Sequence, residues 1–381
     1  MVNNKKIIAV KGSGMIACLC SLMLAKFGHD VIHVSKGVTK KNDMFFAITP
    51  TSIEWFRELG FPDIFFDQLH NISEIQLFDE IYGNEINFKA DDFYIDSLAY
   101  MAKQKHFAEA LKDLNTNINT IVDDASISYS CNDESVDIHI NGDTIKPCLL
   151  IICDDGDSLI NEEKFHSTAI EYDQTALTFV FKSEDGIFDQ ASQYFYEDSI
   201  LALLPLDSNE VGVVWSCNKK LKNYLLSLEE IDLVTILQER IKKIFNIEVP
   251  LKNRHAFDLR AKNLESIFNK RILLMGDAAH TIHPMAGQGF NLGLRDIQCF
   301  EKLIAEKSTM DFGARNFLRK YERMRARDVT QLSTLTTSIS NILFENKSFI
   351  KKARNKLLLS SVSKLKSSKY FKNYLVKQAI L

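Results

Sequence analysis

No apolar run in the 381 residues approaches the roughly 20 consecutive residues needed to span a bilayer. No secretory or transit leader is expected either, because Val2 to Lys6 run straight into the first strand. Together these point to a cytoplasmic protein. Cysteine is scarce and odd in number: seven are scattered along the chain, with Cys18 and Cys20 on different faces of one helix. Neither a disulfide framework nor a metal site is expected from them. There is no low-complexity block, internal repeat or flexible linker. At 46% hydrophobic and 25% charged, the composition is that of a soluble globular protein. A chain of this length buries a large core and is long for one compact unit, so two interleaved domains are expected.

Acidic residues are absent from one whole region. Residues 346–381 hold ten Lys or Arg and no Asp or Glu, whereas the chain as a whole carries −4. The rest therefore carries −14, and the tail is expected to meet something anionic. Ile350, Ala353, Leu357, Leu358, Val362, Leu365, Phe371, Tyr374 and Leu375 recur at helical spacing among its basic residues. Basic amphipathic helices of this kind lie on anionic membrane surfaces. The bland alternative is a helix packed on the protein's own acidic body. No motif or fold signal supports nucleic acid.

The chain is organised around Arg271 to Asp296. Ile272-Leu273-Leu274-Met275 suits a strand buried on both faces. Gly276-Asp277 ends it with a carboxylate, and a small-residue loop holding Pro284, Gly287 and Gly289 leads to a helix opened by Asn291. Ligands of open α/β sheets bind beyond the carboxyl ends of strands. A helix N-terminus there adds unpaired amides and partial positive charge. The pattern reads as a site for a polar, partly anionic ligand. A tight structural turn is the bland reading.

A second such pattern opens the chain. After the Lys6–Val10 strand, Gly12-Ser13-Gly14-Met15-Ile16-Ala17 is GxGxxA, followed by a helix from about Met15 to Phe27 and a strand at Val31–Val34. This is the βαβ start whose glycines admit a pyrophosphate at the helix N-terminus. The acid that should end the second strand is missing, and Ser35 stands there. A structural βαβ unit without nucleotide is the alternative for this segment.

Further along, Thr51-Ser52-Ile53-Glu54 reads as a capping box for a helix through about Leu59. Hairpins are expected at Ile75–Phe88, turning at Gly83-Asn84, and at Ala125–Ile140, turning near Asn132-Asp133. Ser97–Leu114 is helical by period. Leu149–Cys153 is another buried-type strand, tipped by Asp154-Asp155-Gly156. Thr168–Ser216 is strand-rich, as for a separate mixed or antiparallel sheet. Leu228–Phe245 is an amphipathic helix, and Leu251–Leu259 returns the chain to its first domain.

Taken together, GxGxxA at 12–17, Asp-Asp-Gly at 154–156 and GDAAHTIHPMAGQGFNLGLRD at 276–296 resemble the FAD-dependent aromatic hydroxylases of the para-hydroxybenzoate hydroxylase fold. The match is closest to the ubiquinone-biosynthesis hydroxylases. Gln174-Thr175-Ala176-Leu177, Leu201–Leu206, Val214-Trp215-Ser216 and Tyr321–Arg325 share the likeness. The resemblance implies an α/β chain: a Rossmann-like FAD-binding domain interleaved with a mixed β-sheet substrate domain, plus C-terminal helices. Its boundaries would be 1–74, 96–167 and 256–340 for the FAD-binding parts, 75–95 and 168–255 for the substrate domain, and 341–381 for the basic helical tail.

By position, the resemblance implies that Gly12, Gly14 and Ala17 hold the pyrophosphate and that Asp277, after Gly276, accepts a hydrogen bond from the ribitol. Pro284 would lie beside the flavin ring. The amides around Gly287, Gly289, Phe290 and Asn291 would face the anionic N1/O2 edge of the reduced ring. Pro284, Gly289 and Asn291 are thus the catalytic candidates. Asp155 and Gly156 match the Asp-Gly motif, and Lys105 stands where the family tends to have an Arg near the flavin. The chemistry would come from the cofactor. NAD(P)H reduces FAD, O2 adds to give a flavin hydroperoxide, and oxygen passes to the ring of a polyprenyl phenol. His280 and His283 are read as loop residues rather than metal ligands.

Four departures from the family pattern stand out: Ser35, Lys11 before the first glycine, Lys105, and an Asp-Gly stretch one residue short. They keep a second reading open, a flavin-free relative acting as scaffold with other ubiquinone-biosynthesis proteins. A lipid-like substrate and the basic tail point to peripheral association with the inner membrane through residues 346–381.

Overall fold

The computed structural model describes residues 6–36, 44–81, 83–114, 118–122, 127–140, 142–183, 190–242, 246–280, 288–306 and 310–344. Pro284, Gly287, His283 and the tail at 346–381 lie outside the described residues.

The chain opens as read: β1 (Ile7–Lys11), α1 (Met15–Lys26) and β2 (Asp30–Ser35) form a βαβ unit with β1 and β2 parallel. Then come β3 (Phe45–Ile48), α2 (Pro50–Glu58), α3 (Asp63–Asp67) and β4 (His70–Ile72). The hairpin β5 (Glu74–Asp79) and β6 (Asn84–Lys89) follows. Thr49, not the expected Thr51, caps α2; its side chain accepts from the Ser52 amide, and Pro50 takes the first turn, where a missing N–H costs nothing.

The first part of the helix expected at 97–114 is a strand. β7 (Ala99–Lys103) pairs with β3 and β4 in a three-stranded sheet, and only then does α4 (Gln104–Leu114) begin. Two partner strands override a helical period here. Next come β8 (Ile118–Val122), a small sheet of β9 (Ile127–Cys131), β10 (Val136–Ile140) and β11 (Asp143–Ile145), then β12 (Leu149–Ile152) and α5 (Ser158–Glu162).

β13 (Ser167–Ser183), β14 (Gln190–Phe195), β15 (Ser199–Pro205), β16 (Glu210–Asn218), α6 (Lys219–Ser227), α7 (Glu230–Ile241) and β17 (Ile247–Leu264) follow. The last elements are β18 (Phe268–Asn269), β19 (Ile272–Leu274), a 3-10 turn at Gly276–Ala278, α8 (Gln288–Glu306) and α9 (Arg315–Phe344).

Two large sheets result. One has six strands in the order β18-β19-β12-β1-β2-β8, and all its pairs are parallel except β18-β19. Ile8, Ala9, Val10 and Leu149–Ile152 in its centre are fully buried, which is why those strands read as unbroken apolar runs. The other has seven strands, β17-β13-β16-β15-β14-β5-β6, antiparallel apart from β14-β5. Its two faces have different tasks. Leu177, Phe179, Leu201, Val213 and Trp215 form a core with Leu225, Leu233 and Leu237 of α6 and α7. The opposite face meets the three-stranded sheet, where Phe45 and Met101 pack on Val180. Gly212 belongs to that face, and a Cβ there would stand 2.7 Å from the Phe45 ring, so no side chain fits.

Candidate functional site

Lys11, Ile152 and Leu274 lie side by side across β1, β12 and β19. The Cys153 amide donates to the Lys11 carbonyl at 2.9 Å, and the Met275 amide donates to that of Ile152 at 2.9 Å. Three strands therefore end at one level, and the glycine loop, Asp154-Asp155 and Gly276-Asp277 leave the sheet together at its carboxyl edge.

The glycine loop is drawn against the tip of β12. The Ser13 amide donates to the Asp154 carboxylate at 2.6 Å and the Gly14 amide at 3.3 Å. Gly12 is required by contact: a Cβ would sit 3.0 Å from both Ala17 Cβ and Asp154 Oδ1. His33 Nε2 lies 2.8 Å from the Gly12 carbonyl, and burial pushes the His33 pKa down, favouring a neutral imidazole that donates there. Lys11, the residue expected to be small, forms a 3.0 Å ion pair with Asp157, both almost fully buried. Asp157 also caps α5 by accepting from the Leu159 amide. Ser35 Oγ reaches Ser13 Oγ at 3.2 Å, so the tip of β2 touches the loop through a hydroxyl.

Asp154 is thus the carboxylate that reaches the loop. Asp155 and Gly156 are exposed at the rim. Asp277 is walled by protein yet its side chain stays open to solvent. The enclosing protein, and then the charges of Asp155 and Asp154, push its carboxyl above the usual range. Crowded carboxylates in a cleft favour neutral hydroxyl donors over anions.

The turn after β19 is held from beneath by Asp296, which is fully buried. It accepts from the Gly276 amide at 2.9 Å and from Arg325 Nε at 2.6 Å, with His280 Nε2 at 2.9 Å. Burial alone would raise its pKa; His280, Arg325 and the Gly276 amide outweigh that and hold the carboxyl below its usual range. Tyr321 hydroxyl donates to its carbonyl at 3.3 Å. His280, the apparent half of a metal pair, is engaged with this carboxylate.

At the N-terminus of α8, Asn291 turns its side chain sideways. Its Nδ2 donates to the Ala47 carbonyl at 2.8 Å, and its Oδ1 accepts from the Thr49 amide at 3.3 Å, tying α8 to β3 and α2. Phe290 stacks on Phe46, with ring centroids 4.4 Å apart, and meets Phe107 at 5.7 Å. Among the described residues, a Cβ on Gly289 would meet no atom within 4 Å. The first-turn amides of α8, like those of any helix, have no intrahelical acceptor. Lys105 is exposed at the start of α4.

The face of the seven-stranded sheet that meets the three-stranded sheet offers two rows of side chains. Strand pairing puts His255, Thr178, Val214 and Ala202 in one row, and Phe257, Ala176, Ser216 and Ile200 in the next. These share the face of Gly212, on which Phe45 sits. This face is small and apolar, with two hydroxyls and one imidazole.

A glycine loop at a helix N-terminus suits a phosphate, and the neighbouring carboxylates suit hydroxyl donors. The FAD binding domain model matches residues 123–336, more than half of the chain. The chain belongs to the FAD binding domain family. FAD is accordingly its cofactor, and the residues fit it: a glycine cradle closed to any Cβ, carboxylates suited to hydroxyl donors, and open space at Gly289 before a helix N-terminus.

Relatives agree with the resemblance read from the 276–296 motif. The chain is 26% identical to the mitochondrial ubiquinone biosynthesis monooxygenase COQ6 of Caenorhabditis elegans, over 74% of this chain and 72% of that one. It is 24% identical to 3-demethoxyubiquinol 3-hydroxylase of Escherichia coli, over 86% and 87%. Among solved structures, p-nitrophenol 4-monooxygenase PnpA from Pseudomonas putida superposes with TM-score 0.75 at 14% identity, covering 98% of each chain. A probable FAD-dependent monooxygenase, pqsL of Pseudomonas aeruginosa, gives 0.73 at 15% identity, over 90% and 97%. These establish the expected fold for this member of the FAD binding domain family.

Proposed function

We propose that the chain is an FAD-dependent monooxygenase that hydroxylates the aromatic ring of a polyprenyl phenol in ubiquinone biosynthesis. The observation that carries this reading is the level alignment of three strand tips, at Lys11, Ile152 and Leu274, along one edge of the parallel sheet. When bound and reduced by NAD(P)H, FAD supplies activated O2, one atom of which is transferred to an electron-rich ring.

The chain's own residues do the rest. Gly12, Gly14 and Ala17 let the pyrophosphate approach α1, whose N-terminus favours negative charge. Asp277 accepts from the ribitol. The N-terminal amides of α8, at Gly289, Phe290 and Asn291, stabilise the negative charge of the reduced ring edge. Ala176, Thr178, Ala202, Val214 and Ser216 offer a flat aromatic substrate an apolar wall that excludes water. Thr178 and His255 are the polar groups on that wall suited to a phenol hydroxyl. Residues 346–381 bring the protein to an anionic membrane surface, where such a substrate resides.

The test is direct. The purified protein should be yellow and form a hydroxylated product from a prenylated phenol with FAD and NAD(P)H. A colourless protein that takes up no added FAD would overturn the proposal and favour the scaffold reading. That second reading draws on one observation: a carboxylate, Asp154, already stands on the loop amides meant for the pyrophosphate.

A further inference from the structure

α9 carries arginines of two kinds. Arg325 is buried against Asp296 and Asp328. Arg315, Arg319, Arg323 and Arg327 recur every fourth residue and are all exposed. At 1.5 Å per residue they run along about 18 Å of one helix face, with exposed Lys320 beside them.

The acids of that segment face elsewhere. Glu322 accepts from Ser266 Oγ at 2.6 Å and from the Ile267 amide at 3.0 Å. Asp328 is held by Arg325 at 2.6 Å and Arg295 at 3.2 Å. Lys320 reaches Glu306 at 3.2 Å. Asn316, Arg319, Lys320, Arg323 and Met324 line a shallow groove on this side.

We propose that the exposed face of α9 is a docking surface for an anionic lipid bilayer. From residue 315 onward the sequence has sixteen Lys or Arg and three Asp or Glu, a net +13, which leaves −17 on residues 1–314. A negative surface attracts α9 and repels the body, so the charge separation selects one face and one orientation. The stripe is open, linear and rigid, as suits a plane of headgroups. The sequence that follows it interleaves basic with apolar residues at helical spacing, which suits a bilayer better than an acidic protein or nucleic acid. The inference extends the membrane contact read from residues 346–381 to a folded element, and it stands on charge rather than on the identity of the substrate.

The test uses the full chain and sedimentation with two kinds of vesicle, phosphatidylcholine alone and phosphatidylcholine mixed with phosphatidylglycerol. The native chain should partition onto the mixed vesicles only, less so as salt rises. The triple variant Arg319→Gln, Arg323→Gln, Arg327→Gln should keep its flavin content and melting temperature but lose on the order of a hundredfold in partition, since each basic residue near the surface contributes about fivefold. That loss is expected with the tail in place, because electrostatic contributions multiply in the partition coefficient. Unchanged partition of the triple variant, or equal binding to neutral vesicles, would overturn the proposal; an acidic protein partner or a second copy of this chain would then be the occupant. Failure to hydroxylate a prenylated phenol, with vesicle binding intact, would affect only the function proposed above.

Discussion

The Asp154 carboxylate accepts a 2.6 Å hydrogen bond from the amide of Ser13, 141 residues earlier in the chain. One side chain thereby joins the tip of β12 to the glycine loop and sets the loop's conformation. Charged hydrogen bonds contribute roughly 1.5–3 kcal/mol. Asp154→Ala should weaken FAD binding by about tenfold or more. Flavin fluorescence titration reads this, and tighter binding in the variant would show that the carboxylate competes with the pyrophosphate.

Gly289 gives a cleaner separation of ligand from fold. A Cβ there meets no atom of the described residues, and Ala suits a helix better than Gly by roughly 0.5–1 kcal/mol. Gly289→Ala should therefore melt no lower than the native chain while binding FAD more weakly. Unaltered FAD affinity would mean that the space beside α8 is not the flavin's.

Asp277 predicts a pH dependence. Its folded, cofactor-free carboxyl is raised above the usual range, so it protonates earlier in the folded than in the unfolded chain on acidification. Hydroxyl donors from the ribitol favour the carboxylate, so FAD binding releases a proton. FAD affinity should fall as pH drops through the raised value, and Asp277→Asn should bind weakly with no such dependence. Titrations across mildly acidic pH check both.

Asp296 predicts a stability effect of the opposite sign. Its folded pKa lies below the usual range, so its contribution is full above the ordinary carboxylate range and is lost as pH falls through the depressed value. Asp296→Asn leaves Arg325 buried without its carboxylate and should cost about 3–5 kcal/mol at neutral pH. Denaturant melts would show it; a loss below 1 kcal/mol would argue that Asp328 alone compensates Arg325.

What the sequence revealed and what it hid follow from the range of each interaction. Gly12 to Ala17, the hairpin turns at Gly83 and Asn132, and the buried runs at 149–152 and 272–274 are local signals, and the fold contains each of them. β7 was hidden because its strand character comes from partners at Phe45–Ile48 and His70–Ile72. Asp154 was hidden by its neighbour: two successive carboxylates at a strand tip carry no local mark of which one turns inward. His33, Asp157 and Arg325 lie on apolar-looking or charged stretches, and only their distant partners give them meaning. Asp296 closes the motif that organised the reading, yet its role depends on Arg325, 29 residues away.

The level alignment of the strand tips at Lys11, Ile152 and Leu274 also has a temporal side. No part of the cleft is complete until the third tip and the start of α8, near residue 290, have been made. At roughly 5–20 residues per second, about 15–60 s of synthesis must pass before FAD has anything to bind. Through the first half of that interval the nascent βαβ unit carries its glycine loop and the charge of Lys11 without the Asp154 and Asp157 that meet them. Cofactor capture is therefore one of the last events in the making of this protein.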